Sequence, residues 1–231
     1  MAHTEQDKTV GTWIRGAGRR LAVHWVAKMV GTTMAMSAFF VVYFWLLRHA
    51  RGPVTTVPRI WIDRAVPFQP GALPLYVSLW VYVCLAPSLL VSRRALAAYA
   101  AAATALSMAG FAVFILWPTS VPPPETDPSL APSIAYLKVI DASGNAFPSL
   151  HVAFAVFSAL WLGRLLRETG AAGGVRALNW LWCAGIVYST LAIRQHVALD
   201  ALAGAALGAA VAAAHLRIMR GGGPAGGPTP P

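Results

Sequence analysis

The sequence predicts an all-α integral membrane protein, built as a bundle of six transmembrane helices. Of its 231 residues, 57% are hydrophobic and only 11% are charged, which leaves too little polar surface for a soluble domain. Six apolar stretches are each close to or above the roughly 18 residues that a membrane span requires. Because these stretches are continuous rather than alternating, they favour helices over the strands of a β-barrel.

The predicted spans divide the chain into three parts. They cover residues 27–47, 71–92, 95–117, 148–166, 175–193 and 196–217. A basic segment over 1–26 precedes the membrane domain, which covers 27–217, and a tail over 218–231 follows it. The tail is predicted to be disordered because its Gly and Pro residues cannot build a packed core. The first span comes too late for a signal peptide, so we expect it to be retained.

The distribution of positive charge predicts the orientation in the membrane. If the N-terminus is cytoplasmic and six spans follow, 12 of the 18 Lys and Arg residues lie on the cytoplasmic side. Arg93 and Arg94, in a very short turn, carry most weight. By the positive-inside rule both termini are cytoplasmic, and the protein lies in the cytoplasmic (inner) membrane. The net charge of +10 indicates contact with anionic headgroups rather than nucleic acid, because the chain has no soluble basic domain.

Polar residues open the fourth span, in the stretch "GNAFPSLHVAFAVFSALWL" (Gly144–Leu162). Burial in an apolar bundle requires none of Asn145, Ser149 and His151. A helix N-terminus offers unpaired N–H groups and a positive dipole to an anion, and the Ser149 hydroxyl can add a donor. Asn145 either caps this helix or contacts the substrate. The beginning of this span is therefore a candidate anion site.

A second group of polar residues lies between the fifth and sixth spans, in "YSTLAIRQHVALDALAG" (Tyr188–Gly204). If one helix contains His196 and Asp200, their spacing of four places them on the same face. The carboxylate can then hold the imidazole tautomer and stabilise its cation. Arg194 either binds phosphate or reaches the lipid headgroups. Ionisable residues in membrane segments are usually functional.

Together these residues predict phosphoryl chemistry. The fourth and sixth spans both begin at the outer face, so His151 and His196 can meet there. One histidine attacks phosphorus, activated by the adjacent carboxylate, and the other protonates the leaving alkoxide. This scheme needs neither a metal nor another cofactor. Cys84 and Cys183 are isolated thiols that form neither a metal-ligand pattern nor a disulfide framework.

The two motifs resemble those of a known family. "FPSLHVAFA" and "STLAIRQHVALDALAG" are similar to the second and third motifs of the type 2 phosphatidic acid phosphatase/haloperoxidase superfamily. "WIDRAVPFQP" and "LWPTSVPPP" resemble its inositol phosphorylceramide synthase-like (inositolphosphotransferase) branch, and the resemblance covers roughly residues 55–212. It implies that His196 is the nucleophile that becomes phosphohistidine. It also implies that Asp200 orients His196, that His151 is the general acid and that Ser149 contacts phosphate.

The sequence departs from the common phosphatase pattern in its cations. The first motif of that pattern contains a Lys and an Arg-Pro pair, whereas this chain has "FILWPTSVPPPE". The third motif usually begins Ser-Arg, and here it begins Ser189-Thr190. Arg194, or Arg59 and Arg64 from the first outer loop, could replace these cations. The loss suits the transferase-like branch, because a phosphodiester carries less charge than a monoester.

Residues outside the motifs have simpler interpretations. Gly204 and Gly208 in the last span form a small-xxx-small face, which predicts close helix packing. Asp63 and Arg64 in the first outer loop either form an ion pair at the surface or belong to the site.

The sequence therefore predicts an enzyme of the outer membrane face. It would be a lipid phosphate phosphatase or phosphotransferase, acting on a phospholipid or an isoprenoid (di)phosphate through phosphohistidine. The choice between hydrolase and transferase stays open, and nothing in the sequence indicates an oligomeric state. The alternative is a non-catalytic lipid-binding or transport protein that keeps the fold, an interpretation that the missing cations favour. A haloperoxidase would share the anion pocket, but those enzymes are soluble.

Overall fold

The computed structural model describes residues 13–49, 52–123 and 145–221, together with the single positions 132 and 134. The described chain is almost entirely helical. After a helical stretch over residues 13–22, its elements are α1 (Trp25–Arg48), β1 (Thr55–Thr56), α2 (Trp61–Ala65), a 3-10 turn (Pro70–Ala72), α3 (Leu73–Val77), α4 (Leu79–Leu89), α5 (Arg93–Leu116), β2 (Thr119–Ser120), α6 (Leu150–Glu168), α7 (Gly173–Ala192) and α8 (Ala198–Gly221).

Five segments of the described chain are long and apolar enough to cross a membrane. They are Trp25–Arg48, Pro70–Leu89, Arg93–Leu116, Leu150–Glu168 and Ala198–Met219. This confirms the predicted all-α, multi-pass membrane fold. The fifth predicted span corresponds to α7, which is 20 residues long but contains Arg176 and Asn179 and is not among these segments. A sixth membrane crossing therefore stays a prediction.

Several element boundaries differ from those predicted. The second predicted span is not one helix, because a 3-10 turn, α3 and α4 follow one another with a break at Ser78. The last helix begins at Ala198 instead of residue 196, so His196 lies before it. It also continues to Gly221, beyond the start of the predicted tail. Residues 1–12 of the predicted N-terminal segment and residues 222–231 of the predicted tail lie outside the described residues.

The centre of the bundle is α6. In the most apolar 18-residue stretch of α6, 72% of the residues are buried inside the protein, whereas the same share in α1 is 6%. Trp161 and Phe157 of α6 are fully buried and contact Tyr99 of α5. Because α6 is surrounded by other helices, its polar N-terminal residues are enclosed by protein rather than lipid.

Two glycines allow α8 to lie directly against α6. A Cβ atom on Gly204 would overlap the carbonyl oxygen of Ser149, and one on Gly208 would overlap that of Ala153. The close approach that the small-xxx-small face predicts is therefore present. It fixes the beginning of α6 against the beginning of α8, where the two histidines lie.

A short parallel sheet connects the chain after α1 with the chain after α5. Strand β1 pairs with β2, with Thr55 opposite Thr119. The fully buried Thr119 also accepts hydrogen bonds from the chain just before α6: Ala146 N donates to its carbonyl (3.3 Å) and Phe147 N to its hydroxyl (2.9 Å). The segment entering α6 is thus attached to the end of α5. Most of the predicted loop between them lies outside the described residues.

Candidate active site

His196 and Asp200 form the central pair of the site. His196 lies in the turn before α8, not in the helix as the spacing argument supposed, yet its Nδ1 is 2.8 Å from Asp200 Oδ2. Asp200 is fully buried, and its Oδ1 accepts a hydrogen bond from Ala201 N at 3.0 Å. Because a carboxylate only accepts, Nδ1 carries the proton and Nε2 keeps its lone pair. The His196 side chain is 12% exposed.

The turn that carries His196 is tightly hydrogen-bonded. The backbone N–H groups of Gln195 and His196 both donate to the carbonyl of Thr190, each at 3.1 Å. Arg194 adopts a left-handed conformation (φ 60°), which ends α7 and reverses the chain. The backbone thus places His196 between α7 and α8.

His151, the second residue of α6, is enclosed by aromatic rings. Its ring stacks on Tyr76 with centroids 3.9 Å apart, and Trp80 meets it edge-on at 5.9 Å. His151 Nε2 is 3.1 Å from the carbonyl oxygen of Tyr76, which only accepts, so Nε2 carries the proton. In the sequence Tyr76 and Trp80 look like ordinary packing residues of an apolar helix, and no signal singled them out.

Ser149 links the two motifs. It is the N-cap of α6, where its Oγ accepts from Val152 N at 3.2 Å. Its own N–H donates to the carbonyl of Asp200 at 2.9 Å, so the start of α6 is bonded directly to α8. Ser149 is fully buried.

Asn145 lies four residues before this cap, so it does not cap α6 itself. It adopts a left-handed conformation (φ 53°), which asparagine tolerates better than most residues. Its side chain is buried, and its Nδ2 has no hydrogen-bond partner. A buried amide without a partner is unusual and points to a ligand contact.

A cavity of about 1090 Å³ brings three of the predicted site residues together. His151, His196 and Asn145 line it. Apolar side chains of α1, α4 and α5 form most of the remaining wall, which extends to Lys28 and Arg93 at the other ends of α1 and α5. Ser149 and Arg194 are not lining residues. The cavity therefore joins a polar end with two histidines to a long apolar groove.

Two of the three arginines proposed to replace the missing cations have other partners. The terminal nitrogens of Arg194 donate to the carbonyls of Asp63 and Val66, each at 2.8 Å. Arg59 donates to the carbonyl of Pro123 at 2.7 Å, and Arg64 is exposed. None of the three lines the cavity. A phosphate contact by Arg194 stays a prediction that depends on its remaining N–H groups.

Asp63 has a position that sequence reasoning missed. It is only 3% exposed, so the interpretation as a surface ion pair is wrong. Its Oδ1 accepts from Ala198 N at 2.7 Å and its Oδ2 from Ile60 N at 2.8 Å. The carboxylate thus lies against the first residue of α8. An Asp-Arg pair in a loop gives no signal of such a distant contact.

Among the described residues, no group of three or more His, Cys, Asp or Glu side chains is arranged to hold a metal ion. The two cysteines are free, Cys84 in α4 and Cys183 in α7.

Comparison with known proteins gives one result. The family model described as PAP2 superfamily matches residues 96–222, which is more than half of the chain. No curated protein and no solved structure matches the chain. The matched range includes the motifs around His151 and His196. It begins after the first outer loop, and it does not distinguish the inositol phosphorylceramide synthase-like branch.

Proposed function

The chain belongs to the PAP2 superfamily, and on this premise we propose that it is a membrane lipid phosphatase or phosphotransferase that works through a phosphohistidine intermediate. The observation that carries the proposal is the 2.8 Å contact between His196 Nδ1 and the buried Asp200, at a cavity that His151 also lines. Superfamily membership suggests phosphatase-type activity on a lipid phosphate. The residue roles and the mechanism below are our proposal.

In the first step His196 attacks phosphorus. The lone pair of Nε2 forms the N–P bond while the bond from phosphorus to the leaving oxygen breaks. The leaving oxygen takes that electron pair and a proton from His151. Asp200 stabilises the positive charge that develops on the His196 ring, as a carboxylate does in other histidine-based sites.

In the second step the intermediate is resolved. His151, now neutral, takes a proton from water or from an alcohol, whose oxygen attacks phosphorus. The N–P bond breaks and its electron pair returns to Nε2 of His196. Because the Tyr76 carbonyl holds the proton on His151 Nε2, Nδ1 is the nitrogen that exchanges protons with the substrate.

Phosphate binding is assigned to Asn145, Ser149 and Arg194. Asn145 contributes an amide N–H that has no other partner and faces the cavity. Ser149 contributes the N-terminus of α6, which it caps, and Arg194 contributes positive charge beside His196. Among the described residues, no Lys or Arg side chain lines the cavity end with the histidines. This favours a singly charged diester and hence the inositolphosphotransferase-like activity of the transferase branch.

A lipid substrate accounts for the apolar part of the cavity. With the phosphoryl group near His196, an acyl or isoprenoid chain can lie in the groove between α1, α4 and α5. With six crossings, the excess of Lys and Arg on one side supports an orientation with both termini in the cytoplasm, in the cytoplasmic membrane. The histidines then lie at the outer, periplasmic side.

A second candidate function is a non-catalytic lipid-binding or transport protein. The absence of Lys and Arg from the described lining around the histidines favours it, since weak phosphate binding would suit a carrier. The fully buried Asp200 favours the enzyme, because a carrier has no need to fix the tautomer of a histidine.

The test is product formation by the purified protein in detergent with chelator present, measured as released phosphate for hydrolysis and as the new phospholipid for transfer. The panel is phosphatidic acid, phosphatidylglycerol phosphate and undecaprenyl diphosphate, with phosphatidylinositol plus a lipid alcohol as the transferase arm. His196→Ala should lose all activity, whereas the control His49→Ala, at the exposed end of α1, should keep it. Product formation that survives in His196→Ala would overturn the mechanism. Lipid binding with no product from any of these substrates would support the non-catalytic lipid-binding or transport protein.

A further inference from the structure

We propose that Asp63 is a positioning residue that fixes the turn carrying His196; its effect on catalysis rests on the proposed function. The nucleophilic turn is residues 193–198, between α7 and α8. Asp63 belongs to the first outer loop, the predicted loop over residues 48–70, and lies 135 residues before Ala198. It does not line the cavity, so it acts through the turn and not on the substrate.

The N-terminus of α8 has no cap from its own neighbouring residues. The leading N–H groups of a helix have no intrahelical partner and are usually satisfied by a side chain just before the helix. Here that position is Val197, whose side chain has no hydrogen-bond acceptor. Asp63 Oδ1 accepts from Ala198 N at 2.7 Å instead. A distant carboxylate therefore supplies the cap, and the favourable charge at the N-terminus, that the local sequence does not provide.

The same loop holds the chain on both sides of His196. Arg194, two residues before it, donates to the carbonyls of Asp63 and Val66 at 2.8 Å. Ala198, two residues after it, donates to the Asp63 side chain. Another backbone bond joins Gln69 N to the carbonyl of Ala192, where α7 ends (2.8 Å). The loop segment 60–69 thus holds the nucleophilic turn at Arg194 and Ala198, and it holds the end of α7 at Ala192.

The catalytic pair of His196 and Asp200 spans the junction between the nucleophilic turn and α8. His196 lies in the turn, whereas Asp200 lies in the first turn of α8. Their 2.8 Å contact therefore depends on how the turn is placed relative to the helix start. Asp63 sets this placement, since its other oxygen is fixed by Ile60 N at 2.8 Å. A displacement of about 1 Å of a reacting group can cost on the order of a hundredfold in rate.

The experiment compares Asp63→Ala and Asp63→Asn with wild type. Glu168→Ala and Glu168→Gln are matched controls that remove an exposed carboxylate paired with Arg164 at the other end of α6. Hydrogen exchange of the peptide over residues 196–201 measures the cap directly. The amount of phosphoenzyme counts the competent sites, and kcat per site and KM are measured on the substrate of the wild-type protein.

We expect Asp63→Ala to speed exchange in 196–201 and to lower kcat per site by about 10- to 100-fold, with KM within about twofold of wild type. Asp63→Asn should be intermediate, because a single amide oxygen can replace only one of the two acceptors. The Glu168 variants should match wild type in every readout.

Three results would overturn the proposal. If the hydrogen exchange of residues 196–201 is as slow in Asp63→Ala as in wild type, Asp63 does not cap α8. Fewer phosphorylated sites with unchanged kcat per site would mean a purely structural role. Full activity of His196→Ala would refute the proposed function, and with it the catalytic effect of Asp63, while the exchange data would still decide whether Asp63 caps α8.

Discussion

Replacing Asp200 with Asn tests the catalytic pair most directly. The carboxylate accepts two hydrogen bonds, from His196 Nδ1 at 2.8 Å and from Ala201 N at 3.0 Å. An amide has only one accepting oxygen. If that oxygen faces Ala201, the amide N–H groups face Nδ1 and force the proton onto Nε2, which removes the nucleophilic lone pair. If it faces His196, the tautomer is correct but the N–H of Ala201 loses its side-chain acceptor.

The size of the effect follows from these two arrangements. The productive one loses a buried hydrogen bond, which costs about 1–3 kcal/mol and reduces its population by roughly 10- to 100-fold. It also loses the charge that stabilises the imidazolium, and charge-assisted hydrogen bonds are roughly twice as strong as neutral ones. We therefore expect kcat to fall by about 10²- to 10⁴-fold. The upper end matches the effect of the same change in enzymes with an Asp–His pair.

The assay is the initial rate on the substrate of the wild-type protein, with phosphoenzyme trapping as a second measurement. Because the change alters the nucleophile and not substrate binding, KM should stay within about threefold. Glu168→Gln, an acid-to-amide change outside the site, should leave both constants unchanged. A kcat for Asp200→Asn within threefold of wild type would refute the assignment of His196 as a nucleophile oriented by Asp200.

Four further predictions concern the same framework. Gly204→Ala should lower the melting temperature by several degrees, because overpacking costs about 1–3 kcal/mol. The control Gly174→Ala should not lower it, because no atom lies near that position. Equal melting temperatures of the two variants would contradict the tight α6–α8 contact. His151→Gln should lose phosphoenzyme formation from natural substrates but keep the first-turnover release of nitrophenol from a nitrophenyl phosphate ester, whose leaving group needs no proton; equal losses of these two would exclude the general acid. Asn145→Ala should raise KM by about 3- to 30-fold, and an unchanged KM would exclude its phosphate contact. Chelators should leave turnover unchanged, and a loss that added metal restores would refute the metal-free scheme.

Much of the site follows from local sequence patterns. His151 and Ser149 fall within one turn of a helix start, and His196 and Asp200 are four residues apart, so their proximity depends on short-range geometry. The same holds for Gly204 and Gly208, whose spacing predicts a close helix contact. These predictions agree with the structure because few conformations are open to short segments.

Other features depend on contacts between distant segments. The neighbours of His151 come from α3 and α4, and the cap of α8 comes from the first outer loop. Nothing in the sequence singled out Tyr76 and Trp80 from the other residues of their apolar span, and for Asp63 a surface ion pair and a place in the site both stayed open. Their partners lie tens of residues or more away along the chain, and the spacing of neighbouring residues does not predict such distant contacts.

The sequence by itself determined that this is a helical membrane protein with two histidine motifs, because hydropathy and helical periodicity are properties of consecutive residues. Only the tertiary structure decided that His196 precedes its helix, that the Arg194 side chain binds the outer loop and that Asp63 is buried. The reason is that a hydrogen-bond donor takes whichever acceptor folding brings within about 3 Å. For Arg194 and Ala198 that acceptor comes from a loop more than 120 residues away.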